Sequence, residues 1–252
     1  MRKTRKAMAA DSPPAAGPQP FGRKPVISVI IPARNEASSI GLVVSDLPRD
    51  MLREVIVVDN VSDDATSHAA RDAGAVVLRE DRPGYGWACR RGIEHLSSDP
   101  PDIVVFLDGD RADFAEELPS VVEPILEGRA DLVIGSRITG SSEPGSLLPQ
   151  AAVGNRLACA VIRLASGVRF TDLGPFRAIR YDALVALKME EMRFGWTVEM
   201  QIKAVQAGLR CTEVPVSYRK RIGNSKVTGT LTGTIKASVR ILWLLGRYVF
   251  DR

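Results

Sequence analysis

With 252 residues, 45% of them hydrophobic and 25% charged, the chain can bury a full core and fits one large α/β domain with tails better than two small domains. Its three cysteines, Cys89, Cys159 and Cys211, are odd in number and far apart, which excludes a disulfide framework or a Cys-x-x-Cys metal site and suits a reducing cytoplasm. The net charge of +4 is uneven: Arg2, Lys3, Arg5 and Lys6 open the chain, residues 203–252 hold ten Lys or Arg against Glu213 and Asp251, and the body between is acidic.

The N-terminus is basic with no apolar segment behind it, so a secretory signal is not expected, and Asp11 to Pro25 is rich in Pro, Ala and Gly. Residues 1–25 therefore read as a disordered leader. From Val26 an apolar β-rich run, a polar turn and a segment of helical period recur. Strands are expected at 26–31, 54–59, 75–79, 103–108 and 131–135, with helices at 36–47, 63–73, 85–97 and 115–127 between them. Near-continuous apolar strands alternating with helices imply a mostly parallel sheet covered on both faces. After Gly135 the alternation breaks: a Ser/Gly/Pro-rich loop at 139–149 precedes a helix at about 150–166, a short strand near 175–180, a helix at 195–208 and a strand at 211–218.

Residues 229–252 are expected to form an amphipathic helix. Ile235, Val239, Leu242 and Val249 fall at helical spacing, and Lys236, Arg240 and Arg247 make a basic stripe. Such a helix packs on its own domain or lies on an anionic membrane surface. No apolar stretch reaches the roughly 18 uncharged residues of a membrane span.

The front strands end alike in polar residues: Pro32-Ala33-Arg34-Asn35-Glu36 after the first, Asp59-Asn60-Val61-Ser62-Asp63-Asp64 after the second, Asp108-Gly109-Asp110-Arg111-Ala112-Asp113 after the fourth. Parallel strands bring those ends to one rim, where ligands of open α/β sheets bind. An Asp-x-Asp alone is a weak motif. Five carboxylates at one rim, Glu36, Asp59, Asp108, Asp110 and Asp113, need a cation or donors to offset their repulsion.

The segments SVIIPARNE, VIVVDNVSDDAT, GYGWACRRGI, VVFLDGD and VIGSR, followed by DLGPFRAIR, GWTVEMQIKA and EVPVSYRKRIGNSK, resemble the family 2 glycosyltransferases of GT-A fold. Within that family they look most like the dolichol-phosphate or polyprenyl-phosphate mannosyl- and glucosyltransferases. The likeness spans about 26–228, taken as the catalytic domain, and implies a Rossmann-like three-layer α/β fold. It further implies an inverting hexosyltransferase whose donor is a UDP- or GDP-linked sugar. Pro32, Ala33, Asn35, Glu36 and Asp59 would border base and ribose, and Asp108, Gly109 and Asp110 the diphosphate. Asp108 and Asp110, with Asp113 as a third ligand, would hold Mg²⁺ or Mn²⁺; all-oxygen ligation favours these over Zn²⁺. Arg137, Arg219, Arg221, Ser225 and Lys226 would serve a phosphate, the acceptor being a polyprenyl or dolichyl phosphate.

A lipid monophosphate is largely ionised at neutral pH and attacks without a base; a hydroxyl acceptor needs one, and Asp172 and Glu199 are the candidate catalytic carboxylates. The chain departs from the pattern at Asn60, where a second Asp is usual, and at Ala112, where a metal-binding Gln is frequent. Competing readings are transfer to a lipid, saccharide or small-molecule hydroxyl, and non-catalytic nucleotide-sugar binding. Gly84-Tyr85-Gly86 before a helix suggests a dinucleotide site only weakly, because the third glycine is missing. No aromatic-interleaved basic platform points to nucleic acid. A cytoplasmic protein, peripheral on the membrane if its C-terminal helix binds lipid, is the expectation; the oligomeric state is open.

Overall fold

The computed structural model describes residues 21–223. The strands are β1 (Ile27–Ala33), β2 (Glu54–Asp59), β3 (Val76–Arg79), β4 (Ile103–Phe106), β5 (Leu132–Ser136), β6 (Arg177–Arg180) and β7 (Cys211–Pro215). The helices are α1 (Ile40–Asp46), α2 (Thr66–Asp72), α3 (Tyr85–Leu96), α4 (Leu118–Leu126), α5 (Pro149–Ser166), α6 (Tyr181–Ala186) and α7 (Trp196–Gln206). The strands form one sheet in the order β3-β2-β1-β4-β6-β5-β7. Only β6 runs antiparallel to its neighbours β4 and β5. The carboxyl ends of β1, β2, β4, β5 and β7 therefore share one edge with the start of β6.

The strands are apolar on both sides because both faces are covered. Val29, Ile31, Val55, Val57 and Val105 pack with α1, α2 and α4, while Ile30, Ile56, Val58, Val104 and Phe106 pack with α3, α5, α6 and α7. Side chains of a strand alternate faces, so each run such as Val29-Ile30-Ile31 feeds two cores at once. This is the three-layer α/β arrangement expected.

Three local differences have physical causes. The first helix begins at Ile40 rather than 36, because Asn35 takes φ 54° and the Glu36 carbonyl accepts from Ser39 and Ile40 in a turn. Residues 21–25, expected within the leader, belong to the fold: the Phe21 ring packs on the core and Arg23 makes a two-pronged contact with Asp102, at 2.8 and 3.0 Å. Helix α6 was not expected, being only six residues long. The C-terminal helix, Ser225 and Lys226 lie outside the described residues.

Candidate active site

At the ends of β1 and β2, short polar side chains tie two loops together. Asp59, buried, accepts from the Ser62 amide at 2.9 Å and from the Ser67 hydroxyl. The Asn35 amide donates to Ser62 Oγ at 3.0 Å, and Asn35 Oδ1 accepts from the Asp63 amide. Glu36 donates its amide to Thr66 Oγ1 at 2.8 Å and accepts Ser39 Oγ at 3.0 Å on its carboxylate. Asn35, Val61 and Arg111, each just beyond a different strand, have φ of 54°, 61° and 61°. For a β-branched Val this is a true outlier, and such strain persists where surrounding contacts over-determine the backbone.

Asn60 explains its own departure from the expected pattern. Its Nδ2 donates to the carbonyls of Glu80 and Arg82, at 3.1 and 2.8 Å, and its Oδ1 accepts the Gly84 amide at 2.7 Å. Only an amide does both. The following Gly84 and Gly86 have a packing role: a Cβ on either would collide with the Met192 or Glu191 carbonyl, so the 191–192 loop lies directly on the start of α3.

The segment after β4 pairs with the segment after β7. Asp113 bridges Tyr218, the Arg219 amide donates to the Ala112 carbonyl, and the Ile222 amide donates to the Asp110 carbonyl. Arg221 is thereby set on Asp110, Nη1 to Oδ2 at 3.0 Å, while Asp110 Oδ1 accepts the Ala112 amide. Burial works against the Arg221 charge, but Asp110 raises its pKa. Arg219, expected beside it, points elsewhere: it reaches Asp46 and the Arg111 carbonyl and stacks over Phe114 at 4.1 Å.

Three carboxylate oxygens here have no hydrogen-bond partner among the described residues: Asp108 Oδ1 and both oxygens of Asp113. Burial, reinforced by Asp110, pushes the Asp108 carboxyl up to about 7. Burial, then Asp108, raises Asp113 well above the usual carboxylate range. The hydroxyl of buried Tyr85, close to Asp108, is also unpartnered.

Arg137, at the end of β5, is locked to Asp172: Nε and the backbone amide reach Oδ2 at 2.7 and 2.9 Å, and Nη2 reaches Oδ1 at 2.6 Å. The loop carrying Asp172 is itself pinned by Glu213, which accepts the amides of Thr171 and Asp172 and the Thr171 hydroxyl. Asn155 of α5 donates to the Thr171 carbonyl and accepts the Leu173 amide, both at 2.9 Å. Arg177, fully buried, donates to the carbonyls of Leu173, Gly174 and Thr197, joining this loop to α7. Glu199 is fully buried too. It accepts the amides of Glu190 and Glu191, at 2.9 and 2.7 Å, and pairs with Lys203 at 3.0 Å.

The family model for glycosyl transferase family 2 matches residues 28–184. This chain belongs to glycosyl transferase family 2. It is 36% identical over 208 residues to the dolichyl-phosphate hexose transferase of Haloferax volcanii, spanning 80% of this chain and 86% of that one. It is 30% identical over 239 residues to the undecaprenyl-phosphate mannosyltransferase of Micrococcus luteus, spanning 88% and 96%. Its fold matches glucosyl-3-phosphoglycerate synthase from Mycobacterium tuberculosis, solved in complex with Mg²⁺ and uridine diphosphate. The TM-score is 0.72, the identity 23%, and 89% of this chain and 79% of that one are covered.

The chain is thus a glycosyltransferase of GT-A fold. For a family 2 site the residues after β4 fit a hard cation: their donors are all oxygens, and three buried ones stand without partners. They do not form a closed cage, since among the described residues no three Asp, Glu, His or Cys side chains converge to hold an ion. Mg²⁺ is commonly held by one or two carboxylates plus phosphates and water, so an open seat suits it. Sequence reasoning missed Tyr218, Arg177 and Glu213. A charge inside the apolar FRAI strand was the available signal for Arg177; Glu213 and Tyr218 act through long-range contacts that leave no local pattern.

Proposed function

We propose that this family 2 enzyme is a metal-dependent, inverting hexosyltransferase that moves a hexose from a UDP- or GDP-linked donor to a polyprenyl phosphate. The observation that carries this reading is the set of orphaned oxygens on Asp108 and Asp113, beside an Asp110 already countered by Arg221. The names of the two relatives support the acceptor, and the Mg²⁺ and uridine diphosphate of the structural neighbour support the donor and metal.

Asp108 and Asp110 would hold Mg²⁺ or Mn²⁺, with donor phosphate and water completing the shell because Asp113, expected as a third ligand, does not converge with them on one ion, and Pro32, Ala33, Asn35, Glu36 and Asp59 would border the nucleoside. The cation, when bound, neutralises charge that builds on the leaving diphosphate. Gly109 keeps the backbone between the two acids slim: a Cβ there would press on Ile40 at 3.3 Å. Arg221 is positioned to exchange Asp110 for a phosphate oxygen, whereas Arg219, committed to Asp46, is not. Arg137, its planar fork oriented by Asp172, offers the acceptor phosphate a fixed cation. An acceptor phosphate oxygen forms the new bond to the anomeric carbon as the carbon–oxygen bond to the diphosphate breaks on the opposite face.

Asp172 and Glu199 are read as positioning residues, because Asp172 is committed to Arg137 and Glu199 to two amides and Lys203. That favours an acceptor needing no base, which a phosphate is and a hydroxyl is not. The test is calorimetry with UDP- and GDP-hexoses with and without Mn²⁺, on the native chain and on Asp110→Ala, followed by transfer of labelled sugar to polyprenyl phosphate. Equal metal dependence in the variant would overturn the metal assignment, and turnover on a hydroxyl acceptor alone would overturn the acceptor.

A further inference from the structure

Helix α5 is 18 residues long and carries no acidic residue. Its inward side is accounted for: Asn155, Ala158, Cys159 and Ile162 are buried, and Asn155 holds the loop of Asp172. On the opposite side Val153, Leu157 and Leu164 are 65%, 50% and 87% exposed, with exposed Ala160 among them. At 3.6 residues per turn these four positions fall within about 60° of arc, a continuous apolar stripe. Arg156 and Arg163, both exposed, border one side of it about two turns apart, and exposed Arg169 follows the helix.

We infer that this outer face of α5 is a membrane-docking surface that lies in the headgroup region of an anionic bilayer. Exposed leucines bordered along one side by arginines and free of carboxylates match that environment on both counts: apolar side chains enter the acyl boundary, and the cations meet lipid phosphates. The inference deepens the polyprenyl-phosphate reading and rests on it for its purpose: the inner face of the same helix holds the loop of Asp172, and with it Arg137, so docking would bring the acceptor-side cation to the lipid surface.

The test uses the full chain and vesicles of equimolar phosphatidylglycerol and phosphatidylcholine, against vesicles of phosphatidylcholine alone, read by co-sedimentation. Leu157→Gln with Leu164→Gln, both exposed helix positions, is expected to lower the partition coefficient about tenfold on anionic vesicles. Arg156→Gln with Arg163→Gln is expected to lower it about 25-fold, roughly fivefold per arginine, and to leave binding to neutral vesicles unchanged. Circular dichroism confirms folding. Transfer to a long-chain polyprenyl phosphate embedded in vesicles should fall with partitioning, while transfer to a short, water-soluble polyprenyl phosphate stays at the native rate. Unchanged vesicle binding by both variants overturns the inference, as does a native dimer that the leucine variant splits without losing vesicle binding, which would make the stripe a self-association seam. Loss of vesicle binding together with no transfer to any polyprenyl phosphate would retain the docking face and overturn the acceptor reading instead.

Discussion

Arg137 and Asp172 meet in a two-pronged pair, 2.7 Å from Nε to Oδ2 and 2.6 Å from Nη2 to Oδ1, on a carboxylate with no solvent exposure. The pair joins the end of β5 to the loop before β6, the strand that runs antiparallel to β4 and β5. In the proposed reaction the two residues divide the work: the carboxylate aims the cation, and the cation would meet the acceptor phosphate. Desolvation opposes the Arg137 charge, yet Asp172 holds its pKa above the ordinary value, so the guanidinium stays charged throughout any working range.

Asp172→Ala should therefore cost stability through an unpaired buried guanidinium, about 3–5 kcal/mol in thermal or denaturant unfolding. It should also lower kcat/KM at least tenfold, with the acidic limb of the pH profile unmoved. In the proposed reaction that limb would belong to the acceptor phosphate, whose second pKa is about 6. Disappearance of the limb in the variant would make Asp172 a base and reverse its assignment.

Arg219 and Arg221 are two residues apart and have different fates. Arg221 sits on Asp110, whereas Arg219 is spent on Asp46, the Arg111 carbonyl and the face of Phe114. Arg221→Gln should weaken binding of a nucleotide-sugar donor with Mn²⁺ by about tenfold, the loss of one charge-assisted contact. Arg219→Gln should leave donor affinity unchanged and lower the unfolding midpoint. Calorimetry and thermal unfolding on the two variants read both, and equal loss of affinity would return Arg219 to the site.

Much of this was legible in the sequence, because the sheet is built from apolar runs whose period and length speak for themselves. Ile103 to Phe106 could be nothing but a buried strand, and its carboxyl end had to carry Asp108 and Asp110 to the rim. What was not legible depends on pairs far apart in the chain. That Arg221 rather than Arg219 faces Asp110 follows from the backbone pairing of 110–113 with 218–222, which no local pattern encodes. The partners of Glu199 were illegible for a related reason. A carboxylate in the first turn of a helix looks the same in sequence whether it faces a substrate or, as here, two amides of a preceding turn.

Asn60 offers a test of the nucleotide side of the rim. Its amide donates twice to carbonyls and accepts once from Gly84, and a carboxylate in its place would set negative charge against the Glu80 and Arg82 carbonyls. Asn60→Asp should destabilise by about 2–3 kcal/mol, the cost of two buried acceptors left without donors. The same change should loosen the 80–84 loop, seen as faster amide exchange there. A variant as stable as the native protein would show that the loop is held by other contacts.

Asp108 makes the site sensitive to pH in a definite direction. Its folded pKa of about 7 lies above the 3.8 of an unperturbed Asp, so the metal-free folded state holds a proton that the unfolded chain has already released. This contribution to stability is complete below about pH 4 and is lost as pH rises to about 7, because burial beside Asp110 penalises the second negative charge. A cation at the seat reverses the sign by favouring the ionised pair, and must displace the proton to bind. Mn²⁺ affinity measured by calorimetry should thus be about tenfold weaker at pH 6 than at pH 8, and the Mn²⁺-induced rise in unfolding temperature should grow over the same interval. In Asp108→Asn both dependences should flatten. Mn²⁺ affinity independent of pH in the native chain would mean that Asp108 is already ionised at pH 6, and that the charge of the rim is balanced by Arg221 and Arg137 without the cation.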